Sequence, residues 1–216
     1  MTGRAGHLWV PLVALLAMLA SGTYLVTQDR GPGAWFDGWG HSGVPMMGGY
    51  AGPGWSDGDG RRVDDLDEAR DRAQAFAERL GPGLRVGEVM HFDENFYAEL
   101  EEADGTLATE VLVDPSSGAT RLEFGPAMMW NTRYGMMARP GAPVRVDAAE
   151  ARDIAAQWAD DRDGLDVGEA EPFPGYYTLH TLRDDEVDGM LSVNATTGAV
   201  WYHGWHGDFI AMSDEE

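Results

Sequence analysis

Hydrophobic and polar positions along this 216-residue chain fall into three regimes. Residues 8–26 are apolar without a break. Residues 31–60 show no period. From about residue 63 the pattern switches between helical and strand periods. Leu66, Ala69, Ala73, Phe76, Ala77 and Leu80 share one helical face, which predicts an amphipathic helix with Asp64 or Asp65 at its cap and Gly81-Pro82 at its end. Phe96–Leu100 and Leu107–Val113 read as strands around an Asp104-Gly105 turn, and Thr120–Phe124 as a last strand. The same order then returns. Ala151, Ile154, Ala155 and Trp158 make a second stripe, with Asp147 and Glu150 spaced as a capping box. Strands follow at Tyr176–Leu182, Met190–Val193 and Val200–His203, with a turn at Asp184–Asp188.

The return is a sequence repeat. Residues 67–70 (DEAR) match 149–152 (AEAR), and Gly87-Glu88 matches Gly168-Glu169. Asn95-Phe96-Tyr97 matches Gly175-Tyr176-Tyr177, and residues 113–119 (VDPSSGA) match 193–199 (VNATTGA). The offsets are 82, 81, 80 and 80, ordered and with little drift, which reads as a duplication. Gly118 and Gly198 can supply the positive φ that returns the chain in each four-residue turn. The expected fold class is α+β: two tandem units, each a helix packed on a three- to four-stranded antiparallel sheet. A unit of ~60 residues buries only about 60% of its unfolded surface, so the two are expected to stabilise each other.

The first regime changes the setting. Leu8–Val26 is 19 residues without a charge, roughly 28 Å as a helix and close to the hydrocarbon thickness of a bilayer. Arg4 precedes it, so residues 1–7 are expected in the cytoplasm and the bulk of the chain outside, with the chain single-pass in the cell membrane. A signal peptide cleaved near Ala20-Ser21-Gly22 is the competing account. The uncleaved transmembrane helix is preferred because apolar residues continue through Tyr24, Leu25 and Val26. Residues 31–60 hold eleven glycines and three prolines, the composition of a flexible tether. The resulting division is 1–7 cytoplasmic, 8–26 anchor, 27–62 linker, 63–124 first repeat, 125–146 connector, 147–210 second repeat and 211–216 acidic tail.

Composition removes several functions. The net charge of −22 repels phosphate backbones, so no nucleic-acid partner is expected. The absence of Cys excludes disulfides, thiolate metal sites and Cys nucleophiles. No His-Glu-x-x-His, Gly-x-Ser-x-Gly or Gly-rich phosphate loop occurs, which leaves no catalytic residue to assign and no enzyme expected. The acid clusters, among them Glu99-Glu101-Glu102, read as solvated faces.

Glu68-Ala69 and Glu150-Ala151 on the helices, Tyr97 and Tyr177 on the strands, and the segments Val113-Asp114 through Gly118 and Val193-Asn194 through Gly198 together resemble the PepSY domain, over about residues 63–124 and 147–210. The layout, ending in Trp205-His206-Gly207-Asp208-Phe209-Ile210, is similar to membrane-anchored tandem-PepSY proteins with Gly/Met-rich segments. The resemblance implies two tandem PepSY-like units and a role in peptidase inhibition or protein interaction. It carries a loose association with copper handling and supplies no catalytic residues.

The candidate chemistry is that of a soft metal. Met46-Met47 lies near His41 in the tether, and Met128-Met129 and Met136-Met137 flank Trp130 and Tyr134 in the connector. Thioether sulfur needs no deprotonation and selects Cu(I) over hard cations, with Ag(I) as its analogue. Met also fills irregular gaps against aromatic rings, so packing is the rival account of the connector. His203 and His206, three residues apart, can converge on one ion if the backbone turns, against a rival role in packing beside Trp201, Tyr202 and Trp205. His91 is expected in a loop and His180 in a strand, both as ordinary residues. The functional expectation is a non-enzymatic, membrane-anchored extracytoplasmic binding or sensor protein handling Cu(I) or another soft metal. The alternative is an inhibitor or chaperone-like regulator of an exported peptidase.

Overall fold

The computed structural model describes residues 55–213. The anchor at Leu8–Val26 and the tether residues His41, Met46 and Met47 lie outside that range. Among the described residues, no helix is long and apolar enough to cross a membrane.

The architecture is α+β with antiparallel sheets and few helices. A short strand β1 (Trp55–Ser56) precedes helix α1 (Leu66–Leu80) and strands β2 (Arg85–Phe92), β3 (Phe96–Glu101), β4 (Leu107–Val113) and β5 (Thr120–Leu122). A short helix α2 (Pro126–Met129) opens the connector. Helix α3 (Ala148–Ala159) and strands β6 (Leu165–Val167), β7 (Glu171–Phe173), β8 (Tyr176–Arg183), β9 (Glu186–Asn194) and β10 (Val200–Tyr202) follow, and β11 (Phe209–Met212) ends the described chain. One sheet runs β1-β5-β4-β3-β2-β11 and the other β10-β9-β8-β6, with β7 also paired to β8.

Local sequence accounts for the helix ends. The Asp65 carboxylate accepts the Glu68 amide, and Asp147 with Glu150 forms a reciprocal capping box. Each cap satisfies amides that the first helical turn leaves open, stabilising it by about 1 kcal/mol. Beyond the caps, each helix is held by one sheet face. Ala69, Ala73, Phe76 and Ala77 of α1 pack with Val89, Phe96, Ala98, Leu100, Val111 and Val113. Ala151, Ala155 and Ala159 of α3 pack with Tyr177, Leu179, Leu191 and Val193.

The opposite faces of the two sheets meet. Met90, Phe92, Tyr97 and Leu112 of the first sheet form one buried cluster with Met190 of the second. The molecule is therefore layered helix, sheet, sheet, helix, and β3, β4, β8 and β9 have both faces covered. Alternation along such strands divides residues between two interiors: an apolar one under each helix, and a mixed one between the sheets. Glu99 (5% exposed) and Glu110 (0%) fall in the second. Glu99 is thus not part of a solvated face, as its cluster alone suggests.

The two turns at 114–119 and 194–199 share their backbone bonds and their side-chain cap, and differ at Ser116, whose hydroxyl joins the cap, and Thr196, whose hydroxyl donates to Pro143 O. Asp114 Oδ1 accepts the Ser116 and Ser117 amides, and Asn194 Oδ1 accepts those of Thr196 and Thr197. Gly118 (φ 67°) donates to Asp114 O and Gly198 (φ 70°) to Asn194 O, both at 2.9 Å. The aromatic pairs do not match as aligned. Phe96 pairs with Val113, and its counterpart opposite Val193 is Tyr177, so Tyr97 corresponds to Thr178. The sequence match at the aromatic pair is one residue out of register, and a one-residue slip exchanges the faces of a strand. Tyr97 accordingly faces the inter-sheet layer while Tyr177 faces α3.

Other differences have local causes. Trp55–Ser56 leaves the tether to pair with β5, and the Trp55 ring lies 5.2 Å from the Arg121 guanidinium. Met212 belongs to β11 rather than to an acidic tail. That strand crosses to the first sheet and pairs with β2, with Phe209 opposite Phe92 and Met212 opposite Met90. His91 lies inside β2 and stacks on Phe96 at 4.1 Å. The turn expected over Asp184–Asp188 is the two residues Asp184 (φ 54°) and Asp185 (φ 67°), both left-handed as a tight hairpin requires.

Candidate metal centre

Three side chains from three segments converge between the sheets. Leu122 joins the core under α1, so the next residue, Glu123, faces the inter-sheet layer; its amide donates to Glu110 O at 2.9 Å and extends the ladder past β5. In the second sheet, Tyr202 stacks on Trp158 of α3 at 5.4 Å, so His203 turns inward, its amide bonded to Met190 O at 3.0 Å. The chain then turns: the His206 amide donates to His203 O at 3.3 Å and its carbonyl accepts the Glu94 amide at 3.2 Å. Gly207 (φ 74°) is needed here, because a Cβ at that position would collide with the Asp93 carboxylate that accepts the Asp208 amide. The His206 ring stacks on Phe92 at 4.3 Å and the His203 ring on Trp205 at 4.8 Å.

Glu123, His203 and His206 are 0%, 2% and 1% exposed. Their ligand atoms all lie within 4.8 Å of one another. Glu123 Oε1 is 3.1 Å from His203 Nδ1 and 2.9 Å from His206 Nε2, and accepts the Trp205 indole N–H at 3.3 Å. Both imidazole nitrogens are close to the carboxylate yet point away from the line a ring N–H···O bond needs. His203 Nδ1, His206 Nε2 and Glu123 Oε2 are consequently buried without a hydrogen-bond partner. Burial by itself would raise the Glu123 carboxyl, but the neighbouring His203 and His206 hold it down at about 2. Burial lowers His206 further than Glu123 raises it, which favours its neutral ring.

The outer contacts form a continuous polar chain. The far nitrogen of His203, Nε2, lies 3.0 Å from Ser192 Oγ, which lies 3.0 Å from Thr178 Oγ1. Thr178 donates to Glu110 Oε1 at 2.6 Å, as does Tyr97 at 2.9 Å, and Tyr176 donates to Glu110 Oε2 at 2.6 Å. Burial, then the Glu123 charge, pushes Glu110 well above the usual carboxylate range, against the pull of its three hydroxyl donors. Burial raises Glu99 well above that range too, reinforced by Glu171, Glu88 and Glu110. His180, at the same layer, sits 3.4 Å from Glu88; that pairing raises it despite burial.

Two imidazoles and a carboxylate form a donor set of borderline and hard ligands, suited to Zn²⁺ or Cu²⁺ more than to Cu(I). Donors ~2.0–2.1 Å from a tetrahedral Zn²⁺ stand about 3.3 Å apart. The two N···O separations here fall a few tenths of an ångström short of that, within reach of small side-chain rotations. A metal ion can therefore be held by this group. The donor set does not determine which ion.

The structure brings His203 and His206 together and adds Glu123, which sequence reasoning missed. A signal for it existed: Glu123 lies 80 positions before His203, the offset of the repeated turns. The connector methionines stand apart. Met128 packs on the first core, while Met129, Met136 and Met137 are exposed. The two doublets are held side by side by the Met136 amide, which donates to Met128 O at 2.9 Å.

No family model, curated protein or solved structure matches the chain.

Proposed function

We propose that this chain is a non-enzymatic, membrane-anchored extracytoplasmic binding protein built on two PepSY-like units, and that Glu123, His203 and His206 hold one divalent transition-metal ion between them. The observation that carries this reading is two imidazoles and a carboxylate, all buried, with ligand atoms within 4.8 Å of one another, of which His203 Nδ1, His206 Nε2 and Glu123 Oε2 have no hydrogen-bond partner. Buried polar atoms in native proteins are paired in the great majority of cases, and a cation shared by all three removes the deficit in one step. Glu123 comes from the first unit and both histidines from the second, so the ion would clamp the units together. The tandem reading is supported by the repeated order of helix and strands and by the twin turns.

Titration of the metal-free full-length protein with Zn²⁺ and with Cu²⁺, followed by calorimetry, tests this. One ion per chain is expected, with binding lost in His206→Ala and Glu123→Ala. Failure to bind either ion, or unchanged stoichiometry in both variants, would sink it.

A second reading rests on the paired doublets. Cu(I) held by Met128, Met129, Met136 and Met137 is favoured by the exposure of the last three and by the bond that sets the doublets side by side. Retention of Cu(I) under reducing conditions, abolished by Met→Leu at these four positions and untouched by His206→Ala, is the result that separates it from the buried site.

A further inference from the structure

Each histidine of the buried group has one nitrogen toward Glu123 and one toward a neutral polar side chain. The hydrogen-bonding roles of those outer partners can be worked out atom by atom. Asn95 Nδ2 donates to Trp205 O at 2.9 Å, which fixes its amide orientation and leaves Oδ1 as an acceptor. His206 Nδ1, 2.8 Å from that oxygen, must therefore carry a hydrogen. In the neutral ring, Nε2 is then bare, and it is this atom that lies 2.9 Å from Glu123 Oε1.

The same bookkeeping reaches His203 through two hydroxyls. The single Thr178 hydrogen is committed to Glu110 Oε1 at 2.6 Å, an oxygen that also takes the Tyr97 hydrogen. Thr178 must then accept from Ser192 at 3.0 Å, and Ser192, its hydrogen spent, must accept from His203 Nε2 at 3.0 Å. His203 thus presents Nε2–H to Ser192, which leaves Nδ1, 3.1 Å from the same Glu123 oxygen, as the nitrogen open to a metal ion. Nδ1 of His203 and Nε2 of His206 are therefore the nitrogens that an ion beside Glu123 would engage.

We infer that Asn95 and Ser192 are positioning residues that lock His206 and His203 in opposite tautomers, so that both open nitrogens converge with Glu123 on one metal ion. The inference rests on the proposed metal site and deepens it. Opposite tautomers are required because the two rings approach Glu123 through different nitrogens, and each needs its own outer acceptor. The relay from Glu110 makes the lock on His203 depend on residues of both units. Outer acceptors of this kind typically change metal affinity by 10–100-fold.

Side-chain ¹⁵N–¹H correlation spectra of the metal-free full-length protein at pH 8.5 read the tautomers directly. The expected result is an Nδ1–H ring for His206 and an Nε2–H ring for His203. Ser192→Ala should mix the His203 tautomers and weaken Zn²⁺ binding about 10–100-fold, while Ser192→Thr, which keeps the hydroxyl, should restore both. Asn95→Asp, which keeps the acceptor, should preserve the His206 tautomer. The inverse tautomer on either ring, a doubly protonated His203, or spectra and affinity unmoved by Ser192→Ala would overturn the inference. The expected tautomers in a protein that binds no Zn²⁺ would overturn the metal role of these residues and of the site, and leave only the tautomer assignment standing. The wild-type spectrum depends on no variant folding.

Discussion

The Tyr176 hydroxyl donates to Glu110 Oε2 at 2.6 Å across 66 residues of sequence, joining the middle strand of one sheet to the middle of the other. Glu110 also sits opposite Glu99 on the neighbouring strand, so two buried acids lie side by side. Burial pushes both acids upward, aided at Glu110 by Glu123 and at Glu99 by Glu171, Glu88 and Glu110. In the inter-sheet layer, burial and the neighbouring acids thus outweigh hydroxyl donors that favour the ionised form.

Stability should fall as pH rises above about 4.5, the ordinary value for this carboxyl. A carboxyl raised in the folded state contributes fully below its unfolded value near 4.5, and that contribution is lost as pH rises towards the folded value. The slope is about 1.4 kcal/mol per pH unit for one group. Urea midpoints of wild type and Glu110→Gln at pH 5 and pH 8 measure this. The variant should lose less on going to pH 8, and equal losses would mean Glu110 is not the group responsible.

Glu123 has the opposite sign. Its carboxyl is lowered to about 2, so its contribution is complete above about 4.5 and disappears between there and 2. Glu123→Ala leaves two buried imidazoles beside a void and should cost about 3–5 kcal/mol at pH 7, the scale for breaking a buried ionic group. The penalty should shrink as pH drops below 4.5. A variant as stable as wild type at pH 7 would contradict the role given to this carboxylate.

Removal of β11 should open an edge. Phe209 packs edge-on against Phe92 at 5.8 Å, and the Ser213 amide bonds to Val89 O at 2.8 Å, so this strand covers β2. A chain ending at Asp208 should show faster amide exchange along β2 and a concentration-dependent dimer by light scattering, since an uncovered strand edge pairs with another chain. A monomer with unchanged exchange would show that β11 only decorates the sheet.

The twin turns should respond alike. Gly118→Ala and Gly198→Ala each place a Cβ in a left-handed conformation, costing about 1–2 kcal/mol. Thermal denaturation should show both losses within that range. An effect confined to one turn would break the equivalence seen in their hydrogen bonds.

Much of the secondary structure was legible because it depends on neighbours in sequence. The stripe from Leu66 to Leu80, the caps at Asp65 and Asp147 and the Gly118 and Gly198 turns are each decided within a few residues. His203 and His206 could be picked out by their spacing. Glu123 could not be picked out by type, because in a chain with 37 acids a lone glutamate carries no mark. The aromatic pair was aligned one residue out because Tyr97 and Tyr177 look alike, while the strand face each occupies depends on pairing with Val113 and Val193.

The sequence by itself determined the helices, the turns and the order in which they recur, since period, capping and turn chemistry act over short stretches of chain. Only the tertiary structure decided that the sheets meet face to face, that β11 crosses to the other sheet, and that Glu123 lies against two histidines 80 and 83 positions later. Those outcomes depend on which strand faces are covered and by what, and burial of that kind is a property of the assembled layers.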